Sequence, residues 1–133
     1  MNVQDIQIGD WVQNPLGAPY QVLAIHFYRI NGDGDGYYGI HLKNKGAEAR
    51  IEIYDLHPVP LTPEILEKNG FIYQDENVWG KKKEEITTYL AFGKYAIINH
   101  NGFLCIGGNA EIHYVHELQH ALRLCGIDKE IVV

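Results

Sequence analysis

The sequence predicts an α+β fold, with a β-rich half over residues 1–60 and an α-β-α half over residues 61–133, packed as one compact unit. Three observations predict it. Short runs of β-branched and aromatic residues, punctuated by Gly, Pro, Asn and Asp, fill the first half. Pro58-Val59-Pro60 ends that pattern, because proline neither donates to a ladder nor sits inside a helix. Helix start and stop signals then frame the second half, one set directly after the prolines and one near residue 125. With 133 residues, 46% apolar and 21% charged, the chain can build a core, which excludes disorder, collagen and coiled coil as whole-chain descriptions.

Taken in order, Ile6, Ile8, Trp11 and Val12 open the first strand, and Asn14-Pro15-Leu16-Gly17 supplies a turn with proline preset at its second position. Residues 20–30 read as the second strand. Asn31-Gly32-Asp33-Gly34-Asp35-Gly36 is a loop, because three glycines carry a large ordering entropy. Residues 37–43 form strand three, and a turn at Asn44-Lys45-Gly46 leads into Ala47-Glu48-Ala49-Arg50-Ile51-Glu52-Ile53. Its strict alternation predicts a half-buried strand. These strands, opening with Ile8-Gly9-Asp10-Trp11-Val12, resemble a small SH3-like barrel.

Thr62 offers an N-cap hydroxyl, Pro63 fits the first helical position, Glu64 suits the positive helix end and Gly70 supplies a left-handed stop, predicting a helix over 63–69. Residues 71–74, 78–79, 85–92 and 94–99 read as strands, and Asn101-Gly102 before residues 103–106 marks a hairpin. After Gly107 and Gly108, residues 111–125 read as a helix closed by Gly126. The strings His57-Pro58-Val59-Pro60-Leu61-Thr62 and Tyr114-Val115-His116-Glu117-Leu118-Gln119 resemble a group of small uncharacterised proteins of gut anaerobic bacteria and their phages. That resemblance implies a phage or mobile-element setting and no assigned activity.

Seventeen acids against eleven bases give a net charge of −6, which argues against nucleic acid as a partner. The apolar runs at 95–98 and 103–106 are far shorter than the roughly 18–20 residues of a membrane span. The first five residues carry neither a basic region nor an apolar stretch, so the expectation is a cytoplasmic protein. Cys105 and Cys125, among apolar neighbours, read as buried free thiols rather than a disulfide or a reactive pair with His100.

His116-Glu117-Leu118-Gln119-His120 matches HExxH, in which two histidines one helical turn apart hold zinc and the glutamate activates water. No third ligand follows at a suitable spacing. On a helical wheel Tyr114, Val115, Leu118, Ala121, Leu122 and Cys125 form the core face, and His113, His116 and His120 a polar stripe opposite, with Glu117 projecting from the polar side. The Gly-Asp loop matches the first six positions of a calcium loop, but position twelve is Leu42 and strands flank it. Among the aromatics, Trp11, Tyr28, Tyr37, Tyr38 and Tyr54 all belong to the β-rich half, where such residues fill the core or floor a binding surface. The expected function is a non-catalytic binding protein that holds a small, nucleotide-like ligand or a host protein through these aromatics, without a cofactor. A zinc hydrolase using His116, Glu117 and His120 is the alternative, and a component that self-assembles into a homo-oligomer through a sheet edge is the third reading.

Overall fold

Two long strands, β2 (Pro19–Arg29) and β3 (Gly36–Asn44), pair antiparallel and organise the first half of the chain. The computed structural model describes residues 1–30, 34–74, 86–91, 95–100, 103–106, 110–124 and 126–133, with side chains described outside 72–111. By internal contacts the chain divides into two units, Met1–Val59 and Pro60–Val133. In the first, β1 (Trp11–Gln13) and β5 (His57–Pro58) lie on one side of the hairpin and β4 (Ala47–Glu52) on the other, giving the order β4-β3-β2-β1-β5. Every pairing in this sheet is antiparallel. Among the described residues no ladder joins β4 to β5, so the sheet is open where a closed barrel was expected.

Local chemistry explains the turns. Gly17 donates to the carbonyl of Asn14 over 2.9 Å, and the Asn14 side chain accepts from the amides of Leu16 and Ala18. This Asx arrangement closes the predicted turn. Lys45 and Gly46 both have positive φ, at 47° and 88°, between the paired Asn44 and Ala47. They form the two-residue turn whose twist suits a hairpin. The opening is tighter than its apolar residues suggest: Val3–Asp5 is a 3-10 turn, and the strand begins only at Trp11. Asp10 is fully buried there and accepts the Gln7 amide over 2.7 Å.

The core of this unit is Ile6, Val12, Val22, Ile40, Leu42, Ile53 and Leu56, with Ile25 and Ile51 packed against it. The alternation in β4 does not make it half-buried. Ala47, Glu48, Ala49, Arg50 and Glu52 are all exposed, because β4 is an edge strand and only Ile51, with Ile53 in the 3-10 turn that follows, reaches the core.

In the second unit, α1 (Pro63–Lys68) starts as its sequence predicts, with Thr62 Oγ1 accepting the Ile65 amide. It ends with Gly70 at φ 82°, its amide bonded to Glu67 and that of Phe71 to Leu66. That pair of bonds is a Schellman stop. An antiparallel sheet of β6 (Ile72–Gln74), β7 (Ile86–Ala91), β8 (Tyr95–His100), β9 (Phe103–Ile106) and β10 (Ala110–Ile112) follows, each strand beside its neighbour in sequence. α2 (Val115–Leu124) is shorter than predicted, because Glu111 and Ile112 pair with β9 as part of β10 instead of opening the helix. The expected strand at 78–79, Asn101-Gly102, Cys125 and the start of the Gly-Asp loop lie outside the described residues, as do the side chains of His100 and Cys105. No helix among the described residues is long and apolar enough to cross a membrane.

After α2 the chain runs without regular structure, and side chains at the end of α1 hold it, with Lys68 Nζ donating to the Val133 carbonyl at 3.1 Å. The amide of buried Asn69, at the end of α1, donates to the carbonyls of Val132 at 2.6 Å and Ile65 at 2.7 Å, and accepts from the Val132 amide at 2.8 Å. Ile131 beside it is buried. Asn69→Ala removes the partner of both the amide and the carbonyl of Val132, bonds that are part-buried, and its expected cost is about 0.5–1.5 kcal/mol. Urea denaturation of the variant beside wild type measures it, and an unchanged midpoint would contradict this role.

Candidate functional site

A bulge decides which side chains of the N-terminal sheet meet solvent. Val22 opposes Leu42 and Ala24 opposes His41, so Leu23 is the extra residue of β2. Side chains alternate strictly along a strand, and an inserted residue resets the alternation. Val22 and Ile25, three apart, therefore both meet the core. His26 and Tyr28 fall on the opposite face together with Tyr37, Gly39 and His41 of β3 and Arg50 of β4.

On that face Tyr28 and Tyr37 are directly opposite and stack, with centroids 5.4 Å apart and planes 22° from parallel. The Tyr28 ring then reaches across β3. Its passage requires Gly39, since a Cβ there would sit 2.6 Å from Tyr28 Cε2. Beyond Gly39 the ring meets Arg50, whose Cζ lies 5.3 Å from the ring centroid, within cation–π range. His26 completes the cluster, its ring 4.7 Å from that of His41 and 6.2 Å from Tyr28.

Arg50 Nε donates to His41 Nε2 over 3.0 Å, and Tyr28 Oη lies 3.4 Å from the same nitrogen. Guanidinium has no acceptor, so Nε2 must carry the lone pair and His41 must be the neutral Nδ1–H tautomer. The electrostatics agree. Partial burial, then the charge of Arg50, then His26 lower the His41 pKa from the ordinary 6.5, against a smaller opposing effect of Glu48. Beside this pair lies an open depression of about 240 Å³ lined by Leu23, His41, Leu42, Glu48, Ala49 and Arg50. The face thus offers a flat aromatic surface, one fixed cation and two imidazoles around a shallow hollow. Such a set can stack a planar group and hold an anion.

The five aromatics expected to bind ligand do not form one site. Tyr28 and Tyr37 do come together. Tyr38 is on the other face, packed on Phe27 at 5.0 Å, because adjacent residues of a strand point opposite ways. Tyr54 lies in the 3-10 turn Ile53–Asp55 and is 74% exposed. Trp11 is buried at 8% exposure, so it serves the interior rather than a binding floor. His26, His41 and Arg50 escaped the sequence reading, although His26-x-Tyr28 and Tyr37-x-Gly39-x-His41 share the two-residue spacing that should have linked them.

The HExxH segment has a different use for its glutamate. Glu117 Oε2 accepts the amides of His113 at 2.7 Å and Tyr114 at 3.1 Å. Tyr114 is the N-cap residue of α2, its carbonyl accepting from Leu118, so Glu117 is the third residue of the helix and reaches back as half of a capping box. The carboxylate is turned along the chain instead of projecting from the polar side. The polar stripe is also revised. His116 and Gln119 are buried with Val115, Leu118 and Leu122, so the buried arc extends towards the histidines, and His113 precedes the helix. The His116 and His120 rings meet edge to face at 5.7 Å. Among the described residues no group of three or more His, Cys, Asp and Glu is gathered that could hold an ion.

Two outcomes are expected. Glu117→Ala should lose about 1–2 kcal/mol in thermal or urea unfolding, and Glu117→Gln, which keeps an acceptor, clearly less; equal and negligible losses would contradict the capping role. For His41, a lowered folded pKa means that the unfolded chain binds the proton first as pH falls. Its stabilising contribution is complete above the ordinary 6.5 and is lost as pH falls through the lowered folded value. The stability difference between wild type and His41→Gln should therefore narrow on acidification below pH 6.5, and a difference that is flat or widening would refute it. No family model, curated protein or solved structure matches the chain.

Proposed function

We propose that the protein is a non-catalytic binding protein that holds a small, planar, negatively charged ligand of nucleotide-like character on the outer face of its N-terminal sheet. The observation that carries this reading is the Tyr28 ring laid over Gly39 with the Arg50 guanidinium at its far side. An aromatic face stacks a base at about 1–3 kcal/mol per base. Arg50 supplies donors to a phosphate or carboxylate, and a guanidinium is suited to bidentate contact with either. The depression lined by His41, Glu48 and Arg50 gives the anionic group a place beside the stacking surface.

We read the N-terminal unit as an open variant of an SH3-like barrel, supported by five antiparallel strands and a 3-10 turn before the last of them. A setting in an anaerobic bacterium or its phage rests on the Pro-x-Pro-Leu-Thr and Tyr-Val-His-x-Leu-Gln strings, and a cytoplasmic location on the composition of the first residues.

The test is titration with adenosine 5′-monophosphate, guanosine 5′-monophosphate and adenosine, followed by amide chemical shifts. The monophosphates should perturb His26, Tyr28, Gly39, His41 and Arg50. Arg50→Ala should weaken their binding about tenfold to a hundredfold by removing a charge-assisted contact, and Tyr28→Ala by a similar factor. Tyr28→Phe, which keeps the ring, should bind nearly as wild type. Perturbations elsewhere, or binding untouched by Arg50→Ala and Tyr28→Ala, would overturn the reading.

A further inference from the structure

We infer that the free edge of β4 is a self-recognition surface, at which a second copy of this chain adds antiparallel about a two-fold axis through Ala49. The inference does not depend on the ligand reading.

The edge is open. β4 terminates its sheet, pairing with β3 on one side only, and Ala47 through Arg50 and Glu52 are exposed. The two-residue turn closes on the pair Asn44–Ala47. In such a hairpin the closing pair is a hydrogen-bonded one, and bonded pairs recur at every second residue. The backbone of Ala47, Ala49 and Ile51 is thus turned to β3. That of Glu48, Arg50 and Glu52 presents its N–H and C=O groups outward, as a template for another strand.

Charge then selects the occupant and the register. The outward-bonding residues carry the signs minus, plus, minus in the order Glu48, Arg50, Glu52. With Ala49 on the two-fold axis, Glu48 of each copy faces Arg50 of the other, in a hydrogen-bonded pair, twice over. Ala47 faces Ile51 on the opposite side of the sheet, also twice. Sliding the partner so that Arg50 lies on the axis sets Arg50 against Arg50 and Glu48 against Glu52, all like charges. Placing Glu48 on the axis opposes two glutamates. An axis at Ile51 restores Arg50–Glu52 pairs but runs into the 3-10 turn Ile53–Asp55, leaving three paired residues of the strand against five. Opposite charges directly across a strand pair stabilise and like charges destabilise, so one register stands out. The product is a continuous sheet made from two five-stranded ones, isologous as two-fold contacts are.

Six residues of edge cover much less than the roughly 1,600 Å² of a standard stable interface. The dimer is therefore a weak, concentration-dependent one.

The experiment combines sedimentation with cross-linking on the full chain. Wild type should show a reversible monomer–dimer equilibrium. Glu48→Arg and Arg50→Glu should each weaken it about tenfold, and the double variant Glu48→Arg/Arg50→Glu, which exchanges the signs across the axis, should restore it. Ala49→Cys should give a disulfide-linked dimer on oxidation beyond the wild-type background from Cys105 and Cys125. A non-bonded antiparallel pair has Cα atoms about 4.5 Å apart, within disulfide range. Ala47→Cys should not, since its own counterpart lies four residues along the partner strand, about 13 Å away. Circular dichroism verifies that each variant is folded. A wild type that stays monomeric, a double variant no better than the singles, or equal cross-linking at 47 and 49 would overturn the inference.

Discussion

The single inserted residue at Leu23 is the constraint on which the N-terminal unit depends. A strand has only two faces, and eleven residues of β2 must serve the core at one end and solvent chemistry at the other. Without the bulge, Val22 in the core would carry Ala24, His26 and Tyr28 inward with it. The imidazole and phenol would then face an apolar cluster, where polar groups without partners are costly. With the bulge, Val22 and Ile25 share the core and the polar aromatics are gathered outside. Gly39 is the matching device on β3. Its missing side chain lets one tyrosine span three strands and meet an arginine, so a contact between β2 and β4 is made over the strand that separates them.

The second unit relies on side chains that complete the backbone bonding of irregular segments. Glu117 satisfies two amides ahead of α2, and Asn69 does for Val132 what a neighbouring strand would do, donating and accepting in one plane. Both are polar residues whose roles lie within the chain. Buried backbone groups need partners whether or not they belong to a helix or ladder. That requirement accounts for a carboxylate inside an HExxH string without any metal chemistry being invoked.

The sequence was informative where structure is locally determined. Turns at Asn14–Gly17 and Lys45-Gly46, the Thr62 cap and the Gly70 stop follow from φ preferences and short-range hydrogen bonds, and they stand where the residues put them. Legibility failed where partners are distant in the chain. Nothing local distinguishes Leu23 from its neighbours in a β-prone run, so the bulge and the face it creates were hidden. β4 alternates as a half-buried strand does, yet its burial is set by its place at the sheet edge. Glu111 and Ile112 read locally as the start of the closing helix, whereas their pairing with β9 is a tertiary fact. Of the site, the two stacked tyrosines were legible from composition. The histidine and arginine that give them chemistry became visible only with the register.

The Arg50–His41 bond has an electrostatic consequence. Because the imidazole accepts as a neutral group, the guanidinium is oriented without being neutralised, and its charge stays available at the surface. It does so on a molecule whose net charge is −6. An approaching anion meets repulsion from the whole protein at long range and attraction from one cation at contact. Salt screens the first far more than the second, since the Debye length shrinks from about 30 Å at 0.01 M to about 8 Å at 0.15 M. Anion capture on this face should therefore be slow in dilute buffer and quicken as ionic strength rises towards physiological values, opposite in sign to the behaviour of basic proteins that collect phosphates by their overall field.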